Sequence, residues 1–153
     1  MKHEYYMKLA LKEAQKAFEI GEIPIGAVIV YNDEVIAKAF NLKESAGNVL
    51  AHAELLAIEK ASKKLGNWRL NNCKIYVTLE PCTMCASAIH QARINEIYYG
   101  VSIADSFNRD ITEKIITNID TNPCGKIYGG FLEKECQELL STFFKKNRNR
   151  TNV

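Results

Sequence analysis

The sequence has no uninterrupted apolar stretch of the roughly 18 residues that a helix needs to span a bilayer. Its first residues, Met1 to Met7, also lack the apolar core of a secretory signal peptide. These two absences lead us to expect a cytoplasmic protein with no membrane partner.

Cysteine is present in an odd number, without a secretion signal, which argues against a framework of disulfide bonds. The five cysteines are Cys73, Cys82, Cys85, Cys124 and Cys136. Two of them, Cys82 and Cys85, have the Cys-x-x-Cys spacing. In a reducing compartment that spacing indicates metal binding or redox chemistry.

Strong net charge is also absent, since the formal charge of the chain is only +2. A domain that binds nucleic acid is expected to have a pI above about 9 or a clear basic patch. The exception is the segment 145–150, which carries four basic side chains and no acidic one. One interpretation is that the basic residues belong to a solvated end of the chain, frayed over 147–153. The other is that they contact phosphate groups.

The length of 153 residues favours a single domain, 1–153. Apolar periodicity predicts helices over 5–20, 48–65, 105–119 and 132–146, and a further helix that ends near residue 92. Short apolar runs predict strands over 27–30, 34–40, 74–79, 94–99 and 126–128. This order predicts an α/β protein, a three-layer α/β/α sandwich in which helices flank a central mixed sheet.

Two short segments carry the residue types that are most typical of chemistry. They read Ala-His-Ala-Glu over 51–54 and Pro-Cys-Thr-Met-Cys over 81–85. Each lies where a predicted helix begins, and helix N-termini favour thiolates and developing anions. His52, Cys82 and Cys85 with no evident fourth ligand match a catalytic zinc site, which leaves one position to water. Glu54 is then placed to move protons beside the metal without binding it.

Each segment alone has other interpretations. A single histidine on a helix is more often structural, and Cys-x-x-Cys also occurs as a redox pair or as half of a structural zinc site. A redox pair would leave His52 and Glu54 without a role, and a structural site would need a fourth ligand. Together, His-x-Glu and Pro-Cys-x-x-Cys form the signature of zinc deaminases, and the chain is identified as a member on these residues. Some members of this superfamily are inactive subunits of heterodimers that have lost the glutamate. The presence of Glu54 argues against that role for this chain.

The sequence resembles bacterial tRNA-specific adenosine deaminases over nearly its whole length. The segments that carry the resemblance, besides the two motifs, are 3–7, 21–28, 76–86, 129–133 and 139–144. The resemblance implies a cytidine deaminase-like fold, a homodimer, and hydrolysis of the wobble adenosine in a tRNA anticodon arm to inosine. It implies one Zn²⁺ per chain, held by His52, Cys82 and Cys85, with Glu54 as the catalytic proton carrier.

The resemblance also implies a set of substrate contacts. These are Asn41, Ala53, Leu79 and Glu80. Ala53 and the strand end Leu79-Glu80 would border the base through their backbone. Asn41 has a second interpretation, because an asparagine that ends a strand is usually a turn residue.

After Gly100 the sequence departs from the tRNA enzymes. Those usually carry Asp-x-Lys-x-Gly-Ala-x-Gly-Ser here, whereas residues 101–110 read VSIADSFNRD and lack the lysine and both glycines. Asp105, Phe107 and Asp110 make this segment somewhat similar to guanine deaminases, which act on a free base. The alternative substrate is therefore a small-molecule purine, a free base or nucleoside, whose edge Asp105 or Asp110 would contact. The alternative interpretation of both aspartates is that they are solvated or helix-capping groups.

Overall fold

The computed structural model describes residues 2–102, 106–118 and 120–151. Within these ranges the elements follow one another in a single α/β unit, listed here in chain order: α1 (Lys2–Glu19), β1 (Gly26–Tyr31), β2 (Glu34–Phe40), α2 (Lys43–Ala46), α3 (Ala53–Leu65), β3 (Cys73–Leu79), α4 (Thr83–Gln91), β4 (Glu96–Val101), α5 (Ser106–Thr117), β5 (Lys126–Tyr128) and α6 (Glu133–Thr151). The predicted order of helices and strands is confirmed, and the short helix α2 is an addition to it.

The five strands form one mixed sheet in the order β2-β1-β3-β4-β5. β1 runs antiparallel to β2 and β3, whereas β4 runs parallel to β3 and β5. Asn32 and Asp33 turn the β1–β2 hairpin with φ angles of 50° and 63°, a conformation that these two residue types tolerate well. Because β3 and β4 are parallel, the segments that follow them leave the sheet at the same edge.

Helices cover both faces of the sheet, which confirms the three-layer sandwich. Ile29, Ile75 and Ile97 point to one face and pack in a buried cluster with residues of α3, α4 and α5. Their neighbours in sequence, such as Val28 and Tyr76, point to the other face and pack against α1. The last helix, α6, lies on that second face as well, where Cys136 and Leu140 contact the end of β4.

Two helix boundaries differ from the prediction by five residues. The second long helix was expected to begin at Asn48 but begins at Ala53, because Leu42 donates a hydrogen bond to the Ala51 carbonyl at 2.9 Å and holds that segment outside the helix. The closing helix was expected to end at Lys146 but continues through Thr151, so the whole basic segment 145–150 is helical. Among the described residues, the helices are too short or too polar to cross a bilayer.

The close approach of α1 to the start of β1 leaves no room for a side chain at Gly26. A Cβ there would overlap the carbonyl oxygen of Ala10 and lie 2.5 Å from the amide nitrogen of Ala14. We expect Gly26→Ala to lower the free energy of unfolding by about 3 kcal/mol, the scale of overpacking a well-filled core. Urea denaturation followed by circular dichroism measures this loss.

Gly66 supplies the control for that substitution. Its φ is +65° but the space around it is open. Gly66→Ala therefore carries only a backbone cost of about 1 kcal/mol. Equal losses for the two variants would contradict the packing argument.

Candidate active site

Three polar side chains meet at the sheet edge where β3 ends. His52 lies directly before α3 in extended backbone, with φ −78° and ψ 149°. Cys82 lies directly before α4, and Cys85 lies in the first turn of that helix. The two helices pack against the same face of the sheet, and this packing brings together residues that are 30 positions apart in the sequence.

The ligand atoms of these residues are close enough to hold one metal ion. His52 Nδ1 lies 3.8 Å from Cys82 Sγ and 3.5 Å from Cys85 Sγ. All three atoms fall within 4.8 Å of one another. Tetrahedral zinc, with bonds of about 2.0 Å to nitrogen and about 2.3 Å to sulfur, requires a nitrogen-to-sulfur separation of about 3.5 Å. The donor set and its spacing therefore fit zinc.

The two thiols share a proton unequally. A hydrogen bond from the Cys85 thiol lowers the pKa of Cys82 to about 5, and backbone N–H groups at the start of α4 act in the same direction. The same contact raises the pKa of Cys85, which is buried. Cys82 is thus a thiolate at neutral pH, the form in which cysteine binds metals.

The carboxyl group of Glu54 is buried beside this cluster. Glu54 is only 4% exposed and occupies the second position of α3. Burial is the main cause that raises its pKa to about 7, and the negative charge of Cys82 adds to the effect. A divalent cation held by the cluster acts in the opposite direction, because positive charge favours the carboxylate. Glu54 is therefore a group that can both accept and release a proton.

Asn41 follows β2 and is buried, with both ends of its side-chain amide in use. Its Nδ2 donates to the Ile23 carbonyl at 3.3 Å, and its Oδ1 accepts from the Lys43 backbone N–H at 3.1 Å. The next residue, Leu42, bonds Ala51, which directly precedes His52. Asn41 is therefore a turn residue as well as a neighbour of the metal-ligand segment.

The other predicted contacts also lie at this edge. Ala53 is fully buried and opens α3, so its N–H belongs to the first turn, which lacks intrahelical partners. Leu79 ends β3, and its side chain packs on the α6 side of the sheet. Glu80 is buried, and its backbone N–H donates to the Val101 carbonyl at 2.9 Å, which joins the ends of β3 and β4.

The segment that departs from the tRNA enzymes is connected to the site through α5. Buried Thr112 donates a hydrogen bond to the Pro81 carbonyl at 3.1 Å, directly before Cys82. Asp110 is exposed on α5, whereas Asp105 lies outside the described residues. Of the remaining cysteines, Cys73 and Cys136 are buried and Cys124 is exposed, and all three are free.

Glu22 is a residue of this region that we did not identify from the sequence. It is 2% exposed, and its carboxylate accepts hydrogen bonds from Ser45 Oγ at 2.7 Å and from the Glu44 backbone N–H at 3.3 Å. The one signal available in the sequence was its position in the segment 21–28, which carries part of the resemblance to the tRNA enzymes. The partners lie more than 20 residues away, so no local spacing pointed to them.

The first comparison concerns families. Residues 1–101 match the family described as the zinc-binding region of cytidine and deoxycytidylate deaminases. This range contains the metal cluster and Glu54.

Individual relatives extend the similarity to the C-terminal part. The tRNA-specific adenosine deaminase of Bacillus subtilis (strain 168) is 44% identical over 147 residues, which cover 96% of this chain and 91% of the relative. A solved structure from a study of tRNA:A34 deaminases that edit adenosine to inosine at the wobble position is 40% identical, with a TM-score of 0.81 over 89% of this chain and 99% of that one. The guanine deaminase of Bacillus subtilis is 37% identical, with a TM-score of 0.65 over 72% and 71% of the two chains.

Proposed function

Since this chain belongs to the cytidine and deoxycytidylate deaminase zinc-binding family and is a zinc-dependent hydrolytic deaminase, we propose that its substrate is the wobble adenosine of a tRNA anticodon arm. Water replaces the 6-amino group, so the products are inosine and ammonia. The observation that supports this chemistry best is the three-ligand cluster with a buried carboxylate beside it.

We assign the zinc ligands to His52, Cys82 and Cys85. Their spacing matches tetrahedral zinc, and their types are those that zinc prefers. When bound, zinc acidifies a coordinated water to a pKa of about 7 and so supplies a nucleophile at neutral pH. Three protein ligands leave the position that such a water needs.

Glu54 is the residue to which we assign proton transfer. Its carboxylate accepts a proton from the attacking water and passes it to a ring nitrogen of the base. Glu54 then moves the remaining proton from the new C6 hydroxyl to the amino group, which leaves as ammonia as the C6–O double bond forms. This is general acid–base catalysis by a single carboxylate, as in zinc deaminases generally. What supports this role is the buried position of Glu54 in the first turn of α3 and its absence from the three-residue ligand group.

The substrate contacts in this proposal come from two neighbouring segments. Asn41 contacts the nucleoside from the turn after β2, and the backbone of Ala53 borders the base. Leu79 and Glu80 border it from the end of β3. What supports this assignment is their common location at the sheet edge that carries the zinc ligands.

The end of α6 supports an RNA substrate over a free base. Lys146 lies 5.6 Å from the centre of the Phe18 ring, near the end of α1, and Phe144, two residues before Lys146 on α6, is 45% exposed. The end of α1 leads directly into the segment that hydrogen-bonds Asn41. Basic and exposed aromatic side chains suit the phosphates and unstacked bases of an anticodon loop.

A free purine is the second candidate, favoured by one observation. The guanine deaminase similarity, at 37% identity, agrees with the departure from the tRNA enzymes after Gly100. The match to the tRNA:A34 deaminase covers more of both chains, and it is the reason we prefer tRNA.

An ammonia-release assay separates the two substrates. We expect the purified zinc protein to turn over an anticodon stem-loop with wobble adenosine, and to release no ammonia from guanine, adenine, cytosine or their nucleosides. The matched control is the same stem-loop with uridine at the wobble position, because uridine has no amino group to lose. Turnover of a free base or nucleoside alone would contradict the tRNA proposal and support the small-molecule alternative.

The homodimer and the cytoplasmic location that we expect from the sequence stay predictions. Sedimentation at micromolar concentration tests the dimer directly.

A further inference from the structure

We propose that Glu22 is a positioning residue for substrate binding, acting through Asn41. The inference rests on the proposed function, because it takes Asn41 as a contact of the substrate. Glu22 itself does not contact the substrate in this proposal. Both of its carboxylate oxygens accept hydrogen bonds from the backbone and a side chain of α2.

Glu22 accepts hydrogen bonds from the backbone N–H groups at the start of α2, although it lies in a distant part of the sequence. The first N–H groups of a helix have no partner within the helix, and Leu42, at the N-cap position, makes no side-chain cap. The Glu22 carboxylate accepts the N–H groups of Glu44 and Ser45 instead, together with the Ser45 hydroxyl. A four-residue helix cannot persist by its own propensity, so α2 depends on this contact.

The segment that contains Glu22 also holds Asn41 directly. The Ile23 carbonyl accepts from Asn41 Nδ2 at 3.3 Å, and the Ile25 carbonyl accepts from the Asn41 backbone N–H at 3.0 Å. On its other side, Asn41 Oδ1 accepts from the Lys43 N–H, the first residue of α2. Asn41 is therefore fixed between two segments, and Glu22 joins those segments to each other.

The negative charge of Glu22 is part of this arrangement. Burial by itself raises the pKa of Glu22, but the hydrogen bonds from Ser45 and Glu44 outweigh it and lower the pKa overall. A glutamine at this position keeps the shape but offers one acceptor oxygen in place of two. Its amino group would face N–H donors, and hydrogen bonds to charged groups are the stronger kind.

A double-mutant cycle distinguishes a positioning role from a merely structural one. We expect Glu22→Gln to raise KM for the stem-loop about 10-fold, the value of one hydrogen bond to a charged group, and to change kcat less than about threefold. Zinc content should remain at that of the wild type. In the Asn41→Ala background, Glu22→Gln should have little further effect on KM, because the two residues act in series.

Three further variants keep the test decisive. Ser45→Ala removes one donor and should raise KM about threefold with the same dependence on Asn41, even if Glu22→Gln folds poorly. Glu22→Asp keeps the charge on a shorter side chain and should restore part of the loss. Glu19→Gln makes the same charge change at an exposed position three residues away and should leave KM unchanged.

Additive effects of Glu22→Gln and Asn41→Ala, or a lower melting temperature with unchanged KM, would overturn the positioning role. Failure of Asn41 as a substrate contact has a different signature, since Asn41→Ala alone would then leave KM for the stem-loop unchanged. Failure of the tRNA proposal would appear as no turnover of the stem-loop by the wild-type protein. If wild-type protein turns over guanine and not the stem-loop, the same cycle on guanine decides the role of Glu22.

Discussion

Glu54→Gln should lower kcat at least about 10²-fold while zinc content and fold stay unchanged, because general acid–base catalysis contributes about 10²–10⁴-fold. Glutamine keeps the size of the side chain and can still accept a hydrogen bond, but it cannot take up and release a proton. Glu54 is 4% exposed and lies beside the metal cluster, so buffer from the solvent has little access to the position that it occupies.

The matched control for this prediction is Glu59→Gln. Glu59 is five residues further along the same helix, is exposed, and forms a surface ion pair with Lys63 at 3.3 Å. Its replacement makes the same change of charge on α3 and should alter kcat by less than about twofold, since surface pairs contribute little. The measurements are steady-state ammonia release, metal analysis and circular dichroism. Full activity of Glu54→Gln would remove this residue from its assigned role.

The sequence predicts well those parts of the fold that depend on local pattern. The bounds predicted for β2 and β5 agree with the structure residue for residue, because alternation and turn residues mark both strands. Asn32 and Asp33 identify the hairpin because few other residue types accept a positive φ. The grouping of His52 with Cys82 and Cys85 comes from the match to the zinc deaminase signature, because local spacing alone places each motif only at the start of its own helix.

The parts that the sequence does not predict depend on distant contacts. Ala51 is buried and continues the apolar stripe of α3, so periodicity alone includes it in that helix. The hydrogen bond from Leu42 keeps it outside. Helix α2 has no apolar periodicity, and its capping group, Glu22, is supplied by a loop more than 20 residues earlier. The order of the strands likewise follows from packing, which no single segment encodes.

Cys82→Ser should reduce bound zinc from one ion per chain to nearly none and abolish deamination. A serine hydroxyl is not deprotonated at neutral pH, so the site would keep only one imidazole and one thiolate. The loss should also lower the melting temperature in the presence of zinc, because a metal that binds only the folded state stabilises it by about 4 kcal/mol at 1,000 times its Kd. Metal analysis, ammonia release and thermal unfolding with and without added zinc measure the three effects.

Cys124→Ser provides the matched control, because Cys124 is an exposed free thiol outside the cluster. This variant should keep one zinc per chain, full activity and the zinc-dependent gain in melting temperature. A general effect of losing any cysteine, such as altered oxidation during purification, would appear in both variants. Loss confined to Cys82→Ser would therefore assign the ion to this site, and one tightly bound zinc in Cys82→Ser would show that His52, Cys82 and Cys85 are not its ligands.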